Sequence, residues 1–201
     1  MRTIHMIHGI HTSRTSRRMA NLQAPAALAS GMRVIYHEYG HILGVETRWK
    51  NPGIAKRIAK ECWDGDIIVG HSNGCAIALR MVRDCKVAAS GLVLLNAALR
   101  DDVEFPAGPS FVHVYYNDDD GAVPWAERSI KLLTDPLWGD MGRDGYRGAD
   151  ARVRQWDCER TEGMPVLRGH SEIVNWPAAE LWAKFWASRC AEEFTNTKGK
   201  P

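Results

Sequence analysis

Asp66-Ile67-Ile68-Val69-Gly70-His71-Ser72-Asn73-Gly74-Cys75-Ala76 is the stretch whose reading decides the fold. The apolar, β-branched run before Gly70 predicts a strand and the Ala-rich pattern after Gly74 predicts a helix, so Ser72 falls on the sharp turn between them. A serine hydroxyl is a poor nucleophile unless it is exposed, aimed and set beside a base; a strand-to-helix turn, the nucleophile elbow, supplies the exposure and the aim. The turn forces a strained backbone and brings neighbouring elements close, which is why glycines flank it. The backbone N–H of Asn73, the next residue, lies at a helix N-terminus, where it can donate to a developing negative charge.

Three other segments place chemistry-bearing side chains beside a strand end or a helix start. Thr3–Ile7 reads as a strand running into His8-Gly9-Ile10-His11. Phe111–Tyr116 reads as a strand followed by Asn117-Asp118-Asp119-Asp120-Gly121-Ala122-Val123-Pro124. Arg168-Gly169-His170-Ser171-Glu172 precedes Pro177, which opens a long amphipathic pattern. Taken in chain order, these segments and the elbow resemble the α/β-hydrolase superfamily, and the likeness runs from Thr3 to about Trp186.

The resemblance implies an order of oxyanion loop, nucleophile, acid and histidine. Ser72 is then the nucleophile and His170 the general base. The acid comes from three adjacent aspartates; the superfamily loop resembles D-x-x-V-P, and only Asp120 has Val123 and Pro124 at that offset, with Asp118 as the alternative. The other aspartates then solvate a turn. The His-Gly pair resembles an oxyanion loop, which assigns one donor to the backbone N–H of Ile10 and the second to Asn73. His8, Gly9 and His11 are expected to border the substrate.

The 201 residues are 45% hydrophobic, enough to cover both faces of a sheet, and one domain over residues 1–201 is expected. Lys and Arg (26) nearly balance Asp and Glu (24), so bulk charge points to no nucleic-acid partner. No secretory signal pattern opens the chain, and no apolar run approaches the ~20 residues of a membrane span. Cys62, Cys75, Cys85, Cys158 and Cys190 are odd in number and lack C-x-x-C pairing; they read as reduced thiols of a cytoplasmic protein. This chemistry calls for no cofactor. His5, His8 and His11 recur every third residue, but a strand puts His5 and His8 on opposite faces, and no metal site is expected.

Strands are expected at Thr3–Ile7, Met32–His37, Ile67–Gly70, Gly91–Asn96, Phe111–Tyr116 and Val153–Asp157. Helices are expected at about 16–29, divided by Pro25, at 53–62 with a stripe of Ile54, Ile58 and Cys62, and at 73–83, 123–133 and 177–194. About six strands alternating with helices predict an α/β fold with a doubly wound, mostly parallel sheet. With the resemblance, this implies a minimal α/β-hydrolase fold. The connection from Asn96 to Phe111, where many members insert a helical cap, is short, so no cap is expected.

Several residues have plain structural readings. Trp182 and Trp186, one turn apart, read as core anchors, Cys75 as a small buried filler, His71 as packed beside the sheet, and Lys56, Arg57 and Lys60 as solvated surface. The segment from Trp138 to Gly148 has glycine at every third position but is too short and proline-poor for a collagen-like helix. It reads as a flexible surface loop; bordering a pocket, it would offer Trp138 and Tyr146 as apolar substrate contacts and Arg143 or Arg147 as a charge.

Together these readings point to a serine hydrolase of carboxylesterase or thioesterase type, cleaving a small acyl ester or thioester. An acyltransferase or amidase would use the same triad. A non-catalytic binding or scaffold protein on the same fold is the alternative of a different class.

Overall fold

The computed structural model describes residues 2–10, 15–120, 134–175 and 177–197. Among them are six strands, β1 (Thr3–Ile7), β2 (Arg33–His37), β3 (Ile67–His71), β4 (Gly91–Leu95), β5 (Phe111–Tyr116) and β6 (Val153–Asp157). They form one sheet in the order β2-β1-β3-β4-β5-β6, and every pairing is parallel. The helices are α1 (Thr15–Asn21), α2 (Gln23–Ser30), α3 (Thr47–Ala59), α4 (Asn73–Arg83), α5 (Met141–Asp144) and α6 (Ala178–Thr197).

The sequence pattern explains the layering. β3 (Ile-Ile-Val-Gly-His) and β4 (Gly-Leu-Val-Leu-Leu) are buried throughout, as strands covered on both faces must be, whereas the edge strands β2 and β6 mix polar with apolar residues and are partly exposed. Alternate side chains face opposite layers. Ile4, Met6, Ile67, Val69, Val93, Leu95 and Tyr115 meet Met19 and Leu22 near α1 and α2 and Trp182 and Trp186 of α6. Ile68, Leu92, Leu94, Val112 and Val114 meet Ala55 and Ile58 of α3 and Ala76 and Leu79 of α4. The two tryptophans of α6 are fully buried, and Trp182 ties its indole N–H to the Pro165 carbonyl at 3.0 Å.

The strand order reverses between β1 and β3: the chain steps outward from β1 to β2, then returns to β1's other flank and proceeds through β4 to β6. Ligands of open α/β sheets sit in the crevice outside the carboxyl ends of the strands at such a switch point. The β1–β3 register, with Ile7 opposite Gly70, brings the residues after β1 beside those after β3 at this crevice.

Each expected strand is present to within one residue at either end, but three other expectations need correction. The break between α1 and α2 falls at Leu22, not at Pro25; Pro25 sits in the first turn of α2, where its missing N–H has no helical partner to lose. α3 begins at Thr47 and runs through Pro52, because Thr47, Asn51, Ala55 and Ile58 form the buried face while Pro52 stays on the exposed one; of the expected stripe only Ile58 is buried. The Gly-rich segment is not a surface loop over residues 138–145, although Arg147 and Gly148 are exposed. The N–H groups of Met141 and Gly142 bond the carbonyls of Leu99 and Ala97 (both 2.8 Å), Gly142 accepts from Asn117 N–H (2.9 Å), and Trp138 and Met141 are buried. Its backbone polar groups are satisfied against the strand ends, so it can lie inside. The helix expected at 123–133 lies outside the described residues. The connection over residues 97–110 contains no helix.

Four buried histidines give the fold a pH dependence. Burial holds His8, His37 and His113 down to about 4 and His71 down to about 3, so each is neutral in the folded protein, whereas in the unfolded chain each titrates near the ordinary value of about 6.5. Below that value the unfolded state binds protons that the folded state refuses. Stability from these residues is therefore full above about pH 6.5 and lost as pH falls toward 4 and 3, with a slope of up to about 1.4 kcal/mol per pH unit for each histidine. We predict a Tm that is flat from pH 8 to 7 and falls steeply between pH 6.5 and 4.5; a Tm at pH 4.5 equal to that at pH 7 would count against this assignment.

Candidate active site

Ser72 occupies the turn between β3 and α4 with φ 54° and ψ −125°, a conformation that costs a non-glycine residue roughly 1–3 kcal/mol and persists only when its surroundings enforce it. Here the enforcement is visible. Ser72 N–H donates to the Leu95 carbonyl (3.0 Å), and the Ser72 carbonyl accepts from Cys75 (3.0 Å) and Ala98 (3.2 Å). Gly74 lets the first turn of α4 lie against the end of β1: a Cβ there would stand 2.2 Å from the Ile7 carbonyl oxygen. On the other side of the crevice a Cβ on Gly9 would meet Ser72 Cβ at 2.8 Å, so the His8-Gly9 turn lies directly against the serine.

His170 comes from the loop before α6 and lies between Ser72 and Asp120. Its Nε2 is 2.6 Å from Ser72 Oγ, and its Nδ1 is 2.6 Å from Asp120 Oδ2. A carboxylate only accepts, so Nδ1 carries the proton, and Nε2 is left to accept from the serine hydroxyl. Of the three aspartates, Asp120 is fully buried, whereas Asp118 and Asp119 are exposed and Asp118 pairs with Arg160 at 3.3 Å. Asn96 Nδ2 lies 3.4 Å from Asp120 Oδ2.

Two side chains hold this line in place: Asn117, given no role from the sequence, and His71, expected only to pack beside the sheet. Asn117, buried at the end of β5, donates through Nδ2 to the carbonyls of Leu167 (2.9 Å) and Gly169 (3.4 Å), accepts at Oδ1 from Asp119 N–H (2.9 Å), and accepts at its own carbonyl from Asp120 N–H (2.9 Å). One residue thereby joins the loop of Asp120 to the loop of His170. His71 donates from Nε2 to the His170 carbonyl at 3.1 Å, and burial pushes its imidazole down to about 3, so it remains a neutral donor. The only sequence signal for either was adjacency to a strand end.

Behind the elbow lies a buried polar network. Asn73 and Asn51 exchange amide hydrogen bonds of 2.8 and 3.0 Å, Trp138 Nε1 donates to Asn73 Oδ1 (3.0 Å), and Asn51 also donates to Asp135 Oδ2 (2.8 Å). Arg80 grips Asp135 with two bonds, at 3.0 and 2.8 Å. Trp138, named above as a substrate contact, therefore spends its polar edge supporting Asn73. Tyr146 packs on Phe105 at 5.3 Å, its N–H bonded to Gln155, in the apolar layer on the α4 side of the sheet.

His8 is fully buried, its Nδ1 2.6 Å from the Gly9 carbonyl and its ring stacked on Tyr39 at 3.9 Å. Gly9 abuts Ser72, Ile10 is half-buried beside them, and His11 lies outside the described residues. Asn73 is the first residue of α4, a position whose N–H the helix itself leaves unpaired. Among the described residues no group of three or more His, Cys, Asp or Glu side chains could hold a metal ion.

No protein-family model and no curated protein matches the sequence. Solved structures do match in shape. The mouse alpha/beta hydrolase domain-containing protein 10 is 14% identical over 97% of this chain and 90% of its own, with a TM-score of 0.56. A monoacylglycerol lipase from Paleococcus ferrophilus is 12% identical over 94% of both chains, with a TM-score of 0.53. A thioesterase domain from the curacin biosynthetic pathway is 13% identical over 90% of this chain and 89% of its own, with a TM-score of 0.52. With its parallel six-stranded sheet, helices on both faces and a strained serine at the switch point, the chain has the α/β-hydrolase fold.

Proposed function

We propose that this protein, as one domain over residues 1–201, is a serine hydrolase that cleaves a small acyl ester or thioester through an acyl-enzyme on Ser72. The observation that carries the reading is the unbroken line Ser72 Oγ–His170–Asp120, with both links at 2.6 Å, on a serine held at positive φ. Ser72 Oγ attacks the acyl carbonyl carbon as its proton passes to His170 Nε2. Asp120 stabilises the resulting imidazolium and keeps the proton on Nδ1. The carbonyl oxygen, now carrying the negative charge, is received by the N–H groups of Ile10 and Asn73. Collapse of the tetrahedral adduct breaks the bond to the alcohol or thiol, which leaves with the proton from His170. Water, deprotonated by the same histidine, then attacks the acyl-enzyme and frees the acid and Ser72.

The short 97–110 connection favours soluble, short-chain substrates. The esterase or thioesterase chemistry of the structural neighbours, which include a lipase and a thioesterase domain, agrees with an ester or thioester as substrate. The five free cysteines fit a reducing, cytoplasmic location. No helix among the described residues is long and apolar enough to cross a membrane.

A fluorophosphonate probe is expected to label the folded protein on Ser72 and to leave Ser72→Ala unlabelled; equal labelling of both would sink the nucleophile assignment, and a folded wild type that fails to label would favour a binding role. The aspartates separate in the same assay system. Asp120→Asn favours the wrong imidazole tautomer and should lower kcat on p-nitrophenyl esters on the order of 10⁴-fold, while Asp118→Asn and Asp119→Asn stay near wild type. The reverse ranking of Asp118 and Asp120, in variants shown by circular dichroism to be folded, would overturn the acid assignment.

A further inference from the structure

The Gly9 carbonyl is held more firmly than a turn requires. His8 Nδ1 lies 2.6 Å from it, and the hydroxyl of Tyr39, two residues beyond β2, lies 2.8 Å from it and 2.7 Å from the His8 carbonyl. Toward these carbonyls both side chains act as donors, the single Tyr39 hydroxyl hydrogen being shared between the carbonyls of His8 and Gly9. Burial pushes the Tyr39 phenol well above its ordinary range, so it keeps its proton, and burial holds His8 down to about 4, so its imidazole is neutral and must carry its hydrogen on Nδ1 to meet a carbonyl. The stack between the two rings, 3.9 Å apart and 10° from parallel, locks them as one unit.

Gly9 C=O and Ile10 N–H belong to the same peptide group. That group is planar and trans, so its C=O and N–H point in opposite directions, and fixing the oxygen fixes the direction of the hydrogen. Hydrogen bonds accepted by the oxygen also polarise the amide and strengthen the N–H as a donor. The same Tyr39 hydroxyl is near the Asn73 side chain, whose hydrogen bonds run to Asn51 and Trp138. Tyr39 thus bonds the peptide that carries the Ile10 N–H and lies near the side chain of Asn73.

We propose that Tyr39, together with His8, is a positioning residue that aims the Ile10 N–H at the developing oxyanion and sets its distance from the Asn73 N–H. The proposal rests on the reading of Ser72 as nucleophile and of Ile10 and Asn73 as the oxyanion donors. Neither Tyr39 nor His8 touches the reacting atoms. Their removal should therefore weaken binding of the tetrahedral state and leave substrate binding nearly intact.

The test compares wild type with Tyr39→Phe, which removes one hydroxyl and keeps the ring stack, and with His8→Phe, which removes the other donor. Ser72→Ala serves as the reference. Two readouts are taken in the full chain: kcat and KM on p-nitrophenyl butyrate, and affinity for benzeneboronic acid, whose serine adduct is tetrahedral and places an oxygen where the oxyanion forms. Tyr39→Phe is expected to fold, to lose about 10- to 100-fold in kcat with little change in KM, and to weaken boronate binding by a similar factor. A merely structural role would lower Tm and leave both ratios unchanged. Wild-type kcat and boronate affinity in folded Tyr39→Phe, with Ser72→Ala inactive, would overturn the clamp alone. Should Tyr39→Phe not fold, His8→Phe decides by the same two readouts. Turnover retained by Ser72→Ala, or a wild type that neither turns over the ester nor binds the boronate, would instead remove the reading of the site on which the clamp rests.

Discussion

The close approach of the N-terminus of α4 to the carboxyl end of β1 is the constraint on which the rest of the site depends. It fixes the turn at Ser72 from one side, as the carbonyl of Leu95 and the amides of Cys75 and Ala98 fix it from the other. Only a residue without a side chain fits at position 74, and only a sheet with Ile7 opposite Gly70 brings Gly9 against the serine. The strain at Ser72 is local, but what sustains it is the register of the central strands, so the strained serine and the stability of the sheet are parts of one arrangement.

Asp120 and His170 are held differently. They sit on loops beyond β5 and before α6, and loops gain precision only from the bonds that tie them down. Asn117 supplies those bonds between the two loops, and His71 ties the histidine loop back to the last residue of β3. Three segments far apart in the chain are thus referred to the carboxyl ends of the strands of one sheet, and the two 2.6 Å contacts of His170 follow from that referencing.

Much of this was legible in the sequence, for identifiable reasons. Ser72, Asp120 and His170 stand beside strand or helix signals that periodicity reveals, but it is the superfamily resemblance, with its D-x-x-V-P pattern, that singles out Asp120 and His170 among their neighbours. The strands were legible because buried parallel strands read as continuous apolar runs. The start of α3 was not, because Pro52 and Gly53 look like a boundary while the force that extends the helix is the burial of two polar residues, Thr47 and Asn51, against partners distant in sequence. The Gly-rich segment failed for a related reason: its composition matches a solvated loop, and only the carbonyls of Ala97 and Leu99 show where its amides go. Tyr39 and Asn117 carry no periodic signature at all, since a polar side chain in a connection is ordinary until its partners are known.

Asn51, Asn73, Arg80, Asp135 and Trp138 share a connected set of donors and acceptors beneath the elbow, which Arg80 extends to Asp84 and Asp135 to the Leu137 amide. A change at any one of them leaves a buried polar group unmatched, at a cost of roughly 1–3 kcal/mol and more where the charge of Asp135 is stranded. Single substitutions at these five positions therefore cost stability that matched replacement of both partners would recover in part. Positions outside any such set carry no such coupling and are free to vary one at a time.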